Sequence, residues 1–317
     1  MKISVIIPTY NYARYITEAI ESVISQAIDD MEIIVIDDGS TDDTTEVLSR
    51  ISDPRLRVIR TPNRGISAAL NEGLNQATGE FIAFLDADDR WLPEKLERQL
   101  AIMATEPDLA VVFTNFYCFN TEGRFADDQF HFIPELRNVP TAPTAGGGQR
   151  ILGDAFSQIV EFYDIPAWIQ TMLFRASAVA STRFLEVERT GSRRIEMCED
   201  LNFCLRIFRL GAVAYIYDPL VEVRRHGANV TSDMSDMPHA KLAGLQLLVT
   251  EDLERDQQRA LNRRIGRGMV EVGVQDVAEG NPGSALRAFV RALSFDGARL
   301  SGLKNLILLP VRLLVRR

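Results

Sequence analysis

Apolar and polar residues along the first third of the chain follow two alternating patterns. Short continuous apolar runs are typical of strands that are covered on both faces of a sheet. Between them, apolar residues recur at helical spacing. This alternation predicts an α/β domain built on a mostly parallel sheet, flanked by helices, with right-handed crossovers. The predicted strands are residues 3–7, 32–36, 57–59 and 81–85, and the predicted helices are residues 14–25, 43–50 and 67–76.

The pattern becomes helical and more basic after about residue 237. Helical apolar spacing runs through residues 241–250, 253–274 and 282–293. We therefore predict an α/β domain at residues 1–236 and a helical C-terminal extension at residues 237–317.

Carboxylates follow two of the predicted strands. Asp37 and Asp38 come directly after one apolar run, and Asp86 and Asp88 come after another. The carboxyl ends of parallel strands lie at the sheet edge where α/β proteins bind ligands. Two aspartates one residue apart can approach a single Mg²⁺ or Mn²⁺ that bridges substrate phosphates. Plain Asp turns and helix caps are the alternative, and Asp89 in particular is typical of a helix start.

The loops after the first two strands contain residues that could bind a nucleobase. The carboxylate of Asp38 can accept a hydrogen bond from a base N–H, and Tyr10 can stack on a base. An ordinary turn and cap explain the second loop equally well. No Gly-x-Gly-x-x-Gly follows the first strand, which argues against a dinucleotide site.

Composition limits the classes of protein. The chain has 317 residues, of which 46% are hydrophobic and 25% charged, as expected for a globular protein with a large core. Its net charge of -9 and pI near 5.1 argue against nucleic-acid binding. The three cysteines lack metal-ligand spacing and leave an odd count, which favours a reducing cytoplasm. The first apolar run is too short for a signal peptide, and no apolar stretch reaches the roughly 20 residues that span a bilayer.

Three motifs resemble, in order and spacing, those of the family 2 glycosyltransferases of the GT-A fold. They are residues 4–11 (SVIIPTYN), residues 36–42 (IDDGSTD), and residues 63–88, which begin with NRG and end with DAD. The resemblance covers about the first hundred residues. It implies a nucleotide-binding half at about 1–115 and an acceptor half at about 116–236.

The resemblance also implies roles for individual residues. By this resemblance, Pro8 and Tyr10 line the pocket of the nucleobase, and Asp38 forms a hydrogen bond with the base. Arg64 and Gly65 lie in a loop that passes close to the nucleotide. Asp86 is then nearer the ribose or sugar, and Asp88 holds the divalent ion that bridges the diphosphate.

An acidic pair, Glu199 and Asp200, opens a predicted helix. The family has an acidic pair at such a helix start, and its second member is the catalytic base, which makes Asp200 the expected base. The alternative is an N-terminal acid that stabilises the helix dipole.

The remaining candidates lie near the acceptor half. The resemblance implies that His226 reaches the metal or the diphosphate, whereas a solvated loop histidine is the alternative. It also implies that a nearby arginine faces phosphate. The alternative is that Arg224 and Arg225, with Asn229 and Thr231, form a lid over the donor. Trp168 could line the acceptor cleft or pack in the core. Arg-rich residues 189–194 replace a turn common in the family, and they either contact an anionic acceptor or form an exposed loop.

The resulting expectation is an inverting enzyme that uses Mn²⁺ or Mg²⁺ and moves a sugar from a nucleoside diphosphate sugar, with UDP favoured. The acceptor is expected to be a hydroxyl of a glycan or lipid-linked saccharide, in polysaccharide or cell-envelope synthesis. A nucleotidyltransferase and a catalytically silent nucleotide-sugar-binding scaffold are the alternatives. Against the former, residues 8–11 (PTYN) stand where a Gly-rich, basic triphosphate loop is expected.

The final segment, residues 303–317, interleaves Leu and Ile with basic side chains. An apolar face with basic residues on an otherwise acidic chain fits docking at an anionic membrane surface. A packed terminal helix is the alternative. We therefore expect a cytoplasmic protein, with peripheral contact at the inner face of the cell membrane as the role of this segment.

Overall fold

The structure is a computed structural model that describes residues 1–125, 128–162, 168–186, 198–227 and 236–314. Its strands are β1 (Ile3–Thr9), β2 (Met31–Asp37), β3 (Leu56–Arg60), β4 (Phe81–Phe84), β5 (Arg90–Trp91), β6 (Leu109–Asn120), β7 (Gly123–Arg124), β8 (Thr141–Pro143), β9 (Gln149–Ile151), β10 (Met172–Arg175) and β11 (Ala212–Arg224). Its helices are α1 (Ile16–Ile24), α2 (Thr44–Ser49), α3 (Ile66–Gln76), α4 (Lys95–Thr105), α5 (Ala155–Ile159), α6 (Ala176–Val179), α7 (Glu199–Phe208), α8 (Met237–Leu247), α9 (Arg255–Glu279), α10 (Pro282–Ala292) and α11 (Arg299–Leu314). Short 3-10 helices occur at Gln129–Phe132, Pro134–Asn138, Ile169–Thr171 and Leu248–Thr250.

One sheet holds all of these strands, in the order β3-β2-β1-β4-β10-β6-β11-β9-β8, with β5 paired to β11 and β7 to β6. Strands β3, β2, β1 and β4 are mutually parallel, as the sequence predicts. Beyond β4 the sheet is mixed, because β10 runs antiparallel to both β4 and β6 while β6 and β11 are parallel. The strands and helices predicted for the first third are confirmed to within about two residues at each end.

Helices cover both faces of the parallel strands. Val5 and Ile7 of β1 belong to the main core, together with Ile20 and other apolar residues of α1. The opposite face packs against α3, where a Cβ added at Gly73 would lie 2.3 Å from the side chain of Ile6. Alternate residues of β1 therefore contact different helices, which explains why the strand is apolar throughout.

Contacts between Cα atoms divide the chain into two units. The first comprises residues 1–155, 164–187 and 203–229, and it contains the parallel strands. The second comprises residues 156–163, 188–202 and 230–317. Within the second unit, α9 and α10 pack around a cluster of Val277, Ala285 and Phe289. The domain boundary at residue 236 remains a prediction from the sequence.

Two local predictions are wrong. The chain after Asp89 does not start a helix: it forms β5, and α4 begins only at Lys95. The reason is that the Asp89 carboxylate bonds Gln170 and Arg224 instead of the N–H groups that follow it. The apolar pattern at residues 212–217 predicts a strand that ends at residue 217, whereas β11 continues to Arg224 because it stays paired with β6 past an irregularity near Pro219.

Within the described residues, no helix is both long and apolar enough to cross a membrane.

Candidate active site

Three loops follow parallel strands at one edge of the sheet. Thr9 at the end of β1 pairs with Asp37 at the end of β2, and Ile6 of β1 pairs with Phe84 at the end of β4. The polar residues after these strands therefore share one sheet edge. This is the edge at which parallel α/β sheets bind ligands.

The first loop is fixed to the second by Asn11. Its side-chain oxygen accepts the N–H groups of Thr41 at 2.7 Å and Asp42 at 3.2 Å, while its own N–H donates to the Ser40 hydroxyl at 2.9 Å. Asn11 adopts a φ of 62°, a left-handed conformation that Asn tolerates better than most residues. Tyr10 stays 42% exposed beside this junction, whereas Pro8 is buried within β1.

Asp38 lies buried under the loop that leads into α3. Its carboxylate accepts the N–H groups of Gly65 at 2.8 Å and Arg64 at 3.0 Å, and the Thr61 hydroxyl at 3.2 Å. Gly65 has a φ of 93°, which favours glycine. The structure thus brings Asp38, Arg64 and Gly65 together. The Arg64 N–H is shared between both oxygens, so each oxygen of Asp38 already accepts two hydrogen bonds.

Asp88 and His226 meet in space although they lie far apart in the sequence. Oδ2 of Asp88 lies 3.0 Å from Nε2 of His226, and both side chains are largely buried. Asp86, two residues earlier, is half-buried in the same turn. The structure therefore brings together Asp88 and His226, the two residues expected at the metal or the diphosphate.

Two tyrosines that the sequence analysis missed surround this pair. The ring of Tyr15 stacks on the imidazole of His226, with centroids 4.9 Å apart and planes at 23°. Burial, and then the charges of Asp88 and Asp86, raise the pKa of Tyr12. Both tyrosines lie at or just before the start of α1, so polar and aromatic residues at helical spacing there were the available signal.

The donor atoms of Asp88 and His226 lie at a distance that suits two ligands of one divalent metal ion. Mg²⁺ prefers an octahedral shell with bonds of about 2.1 Å, in which neighbouring ligand atoms lie about 3 Å apart. The observed 3.0 Å separation fits two adjacent ligands of one ion. Among the described residues, no group of three or more His, Cys, Asp or Glu could hold a metal. An ion at this pair would therefore need oxygen atoms from a bound diphosphate and water as well.

Asp89 connects the turn to the end of β11. Its buried carboxylate accepts the N–H of Arg224 at 2.7 Å and the side-chain amide of Gln170 at 2.9 Å. Burial, followed by the charges of Asp88 and Asp86, raises the pKa of Asp89 well above its ordinary value. The sequence analysis missed the role of Asp89 because both of its partners are distant in the chain.

Arg225 and Trp168 form a separate contact. The guanidinium carbon of Arg225 lies 4.9 Å from the Trp168 ring centre, and Trp168 also packs on Phe116 at 4.8 Å. Both side chains are half-buried. The other residues predicted nearby, Asn229, Thr231 and the segment 189–194, lie outside the described residues.

Glu199 and Asp200 occupy the first turn of α7, as the sequence predicts. Both belong to the second unit. The N–H of Leu201 donates to Oδ1 of Asp200 at 2.6 Å. Burial raises the pKa of Asp200 above its ordinary value, and the Leu201 N–H and the charge of Lys241 oppose this only in part.

Comparison with known proteins decides the family. Residues 4–159 match the model of Glycosyl transferase family 2. The chain belongs to this family. The matched segment includes every residue from Pro8 to Asp88 that the sequence analysis assigned to the donor site.

The family 2 chain is similar to a hyaluronan synthase of Pasteurella multocida, with 37% identity over 254 residues, which are 74% of this chain and 26% of the synthase. The matches span 14–36% of the length of the curated relatives.

Two solved structures share the fold. TarS 1-349 of S. aureus, solved with UDP, has a TM-score of 0.65 at 21% identity and covers 99% of this chain and 88% of its own. A mannosyltransferase of Pyrobaculum calidifontis, solved with GDP-Man and Mn²⁺, has a TM-score of 0.56 at 18% identity and covers 97% and 80%. The fold of this family 2 chain is therefore of the GT-A type.

Replacing Asp38 with Asn tests how firmly this carboxylate fixes the loop at Arg64 and Gly65. One oxygen becomes an amide that cannot accept their N–H groups, so urea unfolding should show a loss of about 1.5–3 kcal/mol. Asp43→Asn is the matched control, because Asp43 is exposed and makes no capping hydrogen bond. A loss no larger than that of Asp43→Asn would show that Asp38 does not stabilise the loop.

Proposed function

We propose that the chain is an inverting glycosyltransferase. It moves a sugar from a nucleoside diphosphate sugar, with UDP favoured, to a hydroxyl of a glycan or lipid-linked saccharide. The observation that carries the proposal is the Asp88 and His226 pair, held 3.0 Å apart at the donor edge of a family 2 domain. A carboxylate and an imidazole at this spacing suit a divalent ion whose remaining ligands come from a diphosphate.

The relatives support the donor class. TarS has been solved with UDP-GlcNAc and with UDP, and the Pyrobaculum mannosyltransferase with GDP-Man and Mn²⁺. The relatives also include synthases of hyaluronan and chondroitin. We infer a nucleoside diphosphate sugar donor and a saccharide acceptor for this chain.

The proposed donor site uses the three loops in different ways. Tyr10, exposed beside Pro8, offers a ring on which the base can stack. The carboxylate of Asp38, whose oxygens also accept the N–H groups of Arg64 and Gly65, would accept a base N–H. Asp86 would face the ribose or the sugar.

The proposed reaction is a single displacement. Asp200 removes the proton of the acceptor hydroxyl as the acceptor oxygen bonds to the anomeric carbon. The bond from that carbon to the diphosphate oxygen breaks, and its electron pair leaves with the diphosphate. The pKa of Asp200, raised by burial, makes it a stronger base than an ordinary aspartate. A divalent ion held by Asp88 and His226 would neutralise charge on the leaving diphosphate.

Asp88→Asn and Asp200→Asn separate donor binding from chemistry. With the unchanged chain, UDP sugars should raise the unfolding temperature, and Mn²⁺ should increase that shift. Asp88→Asn should lose the Mn²⁺-dependent part, because a neutral amide is a poorer ligand for a hard cation. Asp200→Asn should keep the donor shift but release nucleoside diphosphate about 10²–10⁴-fold more slowly.

Asp43→Asn, exposed and outside the proposed site, is the control for both variants. If no nucleotide sugar gives a Mn²⁺-dependent shift with the unchanged chain, the proposed donor site is wrong. If Asp200→Asn loses donor binding and transfer equally, Asp200 is not the base.

We also propose that α11 contacts an anionic membrane surface. Leu300, Leu303 and Ile307 are 85%, 49% and 67% exposed, and their spacing places them on one face. The opposite face holds Gly302 and Asn305, which are buried.

Arg and Lys greatly outnumber the single carboxylate of residues 282–317, in a chain whose net charge is -9. This combination of apolar and basic residues suits an anionic lipid surface. Residues 315–317 lie outside the described part of the chain.

Changing Leu300, Leu303 and Ile307 to Ser tests this contact by flotation with lipid vesicles. The unchanged chain should float with phosphatidylglycerol-containing vesicles more than with pure phosphatidylcholine. The triple variant should lose at least about tenfold in partition, because burial of even one such side chain contributes about 1.5 kcal/mol. Val58→Ser, at an exposed position on β3, is the control. Equal flotation with both lipids, or of the triple variant and the unchanged chain, would contradict the proposal.

A further inference from the structure

Arg224 contacts three segments that meet at the candidate metal site. Its backbone N–H donates to Asp89 at 2.7 Å, and its Nε donates to the backbone oxygen of Asp88 at 2.8 Å. Its Nη2 forms an ion pair with Glu18 of α1. One residue at the end of β11 is thus bonded to the turn after β4 and to α1.

The position of the Arg224 side chain is also fixed by aromatic rings. Its guanidinium carbon lies 4.8 Å from the ring centre of Tyr15 and 4.4 Å from that of Phe119. The side chain is only 13% exposed. Tyr15 in turn stacks on His226. A planar guanidinium can stack on rings and donate in its own plane at once, which the ammonium of lysine cannot do.

Glu18 belongs to a chain of alternating charges. One of its carboxylate oxygens pairs with Arg224 and the other with Arg90. Arg90 also pairs with Glu222, which accepts a further bond from Arg124. Arg124 and Arg90 lower the pKa of Glu222 despite its burial, so its charge is retained. A partly buried network of this kind is held more rigidly than an exposed ion pair.

The topology of the sheet explains why such a connection is needed. Asp88 follows β4 and His226 follows β11, but β10 and β6 lie between these two strands. Strands β4 and β11 do not pair with each other, so backbone pairing between them does not fix the distance between the two side chains. Strand β5, which follows Asp88, pairs with β11 at Glu222. The side chain of Arg224 then joins the end of β11 to the backbone oxygen of Asp88.

We propose that Arg224 and Glu18 are positioning residues that hold Asp88 and His226 at the separation one divalent ion requires. The proposal rests on the metal-dependent function proposed above. Both Nε and Nη2 of Arg224 donate to the protein, which assigns Arg224 to positioning the pair.

The test compares Mn²⁺ affinity with nucleotide affinity in Arg224→Met, Arg224→Lys and Glu18→Gln. Calorimetry should give a Kd for Mn²⁺, measured with saturating UDP, that is about 10–100-fold higher in both Arg224 variants than in the unchanged chain. Glu18→Gln should change it in the same direction but less. The Kd for UDP without metal should stay within about twofold, because the bonds and ring contacts given above for Arg224 do not involve Pro8, Tyr10 or Asp38.

Arg98→Met is the matched control. It removes an arginine whose ion pair with Asp218 shares no residue with the ion pair of Arg224 and Glu18. It should leave both affinities unchanged. The double variant Glu18→Gln with Arg224→Met should resemble Arg224→Met alone, because the two residues act through one interaction. If Arg224→Met unfolds, as circular dichroism would show, Arg224→Lys and Glu18→Gln still provide the comparison.

Unchanged Mn²⁺ affinity in folded Arg224 variants would overturn the positioning role while leaving the proposed function intact. Equal weakening of UDP binding without metal, or an equal effect of Arg98→Met, would also overturn it. If the unchanged chain itself shows no Mn²⁺ binding with UDP, the metal-dependent function fails, and the positioning role fails with it.

Discussion

The candidate site depends on holding several carboxylates close together at partly buried positions. Asp86, Asp88 and Asp89 lie within four residues, and like charges this close and poorly solvated repel one another. Burial, followed by the charges of Asp88 and Asp86, raises the pKa of Asp89. This repulsion is offset by the hydrogen bond from Arg224 to Asp89 and by the imidazole of His226 beside Asp88. In our proposal, a divalent ion offsets it as well. The protein groups that do so come from the end of β11 and the residues directly after it.

Much of the nucleotide-binding half could be predicted because its determinants are local. The apolar runs of β1, β2 and β4 are buried on both faces, so their pattern appears directly in the sequence. Asp38 and Asp88 stand out for a related reason, since Asp38 directly follows such a strand and Asp88 lies in the turn after another. Confirmation of the family by residues 4–159 agrees with the motifs that carried the resemblance.

The connections within the site could not be predicted, because they join residues distant in the chain. Asp89 looked like a helix start, yet its partners are Gln170 and Arg224, 81 and 135 residues away. The ion pair of Arg224 with Glu18 spans 206 residues. Periodicity reveals which face of a helix is apolar, but it does not reveal which strand end lies beside the polar face. The mixed second half of the sheet, which decides this, has no repeating pattern.

The central claim is that Asp88 and His226 bind one divalent ion together with a donor diphosphate. The most direct measurement is a crystal structure of the chain grown with UDP and Mn²⁺, with anomalous diffraction used to locate manganese. The account predicts one anomalous peak about 2.1–2.3 Å from both Oδ2 of Asp88 and Nε2 of His226, in contact with the diphosphate. Bound UDP with manganese elsewhere, or with no manganese, would contradict it.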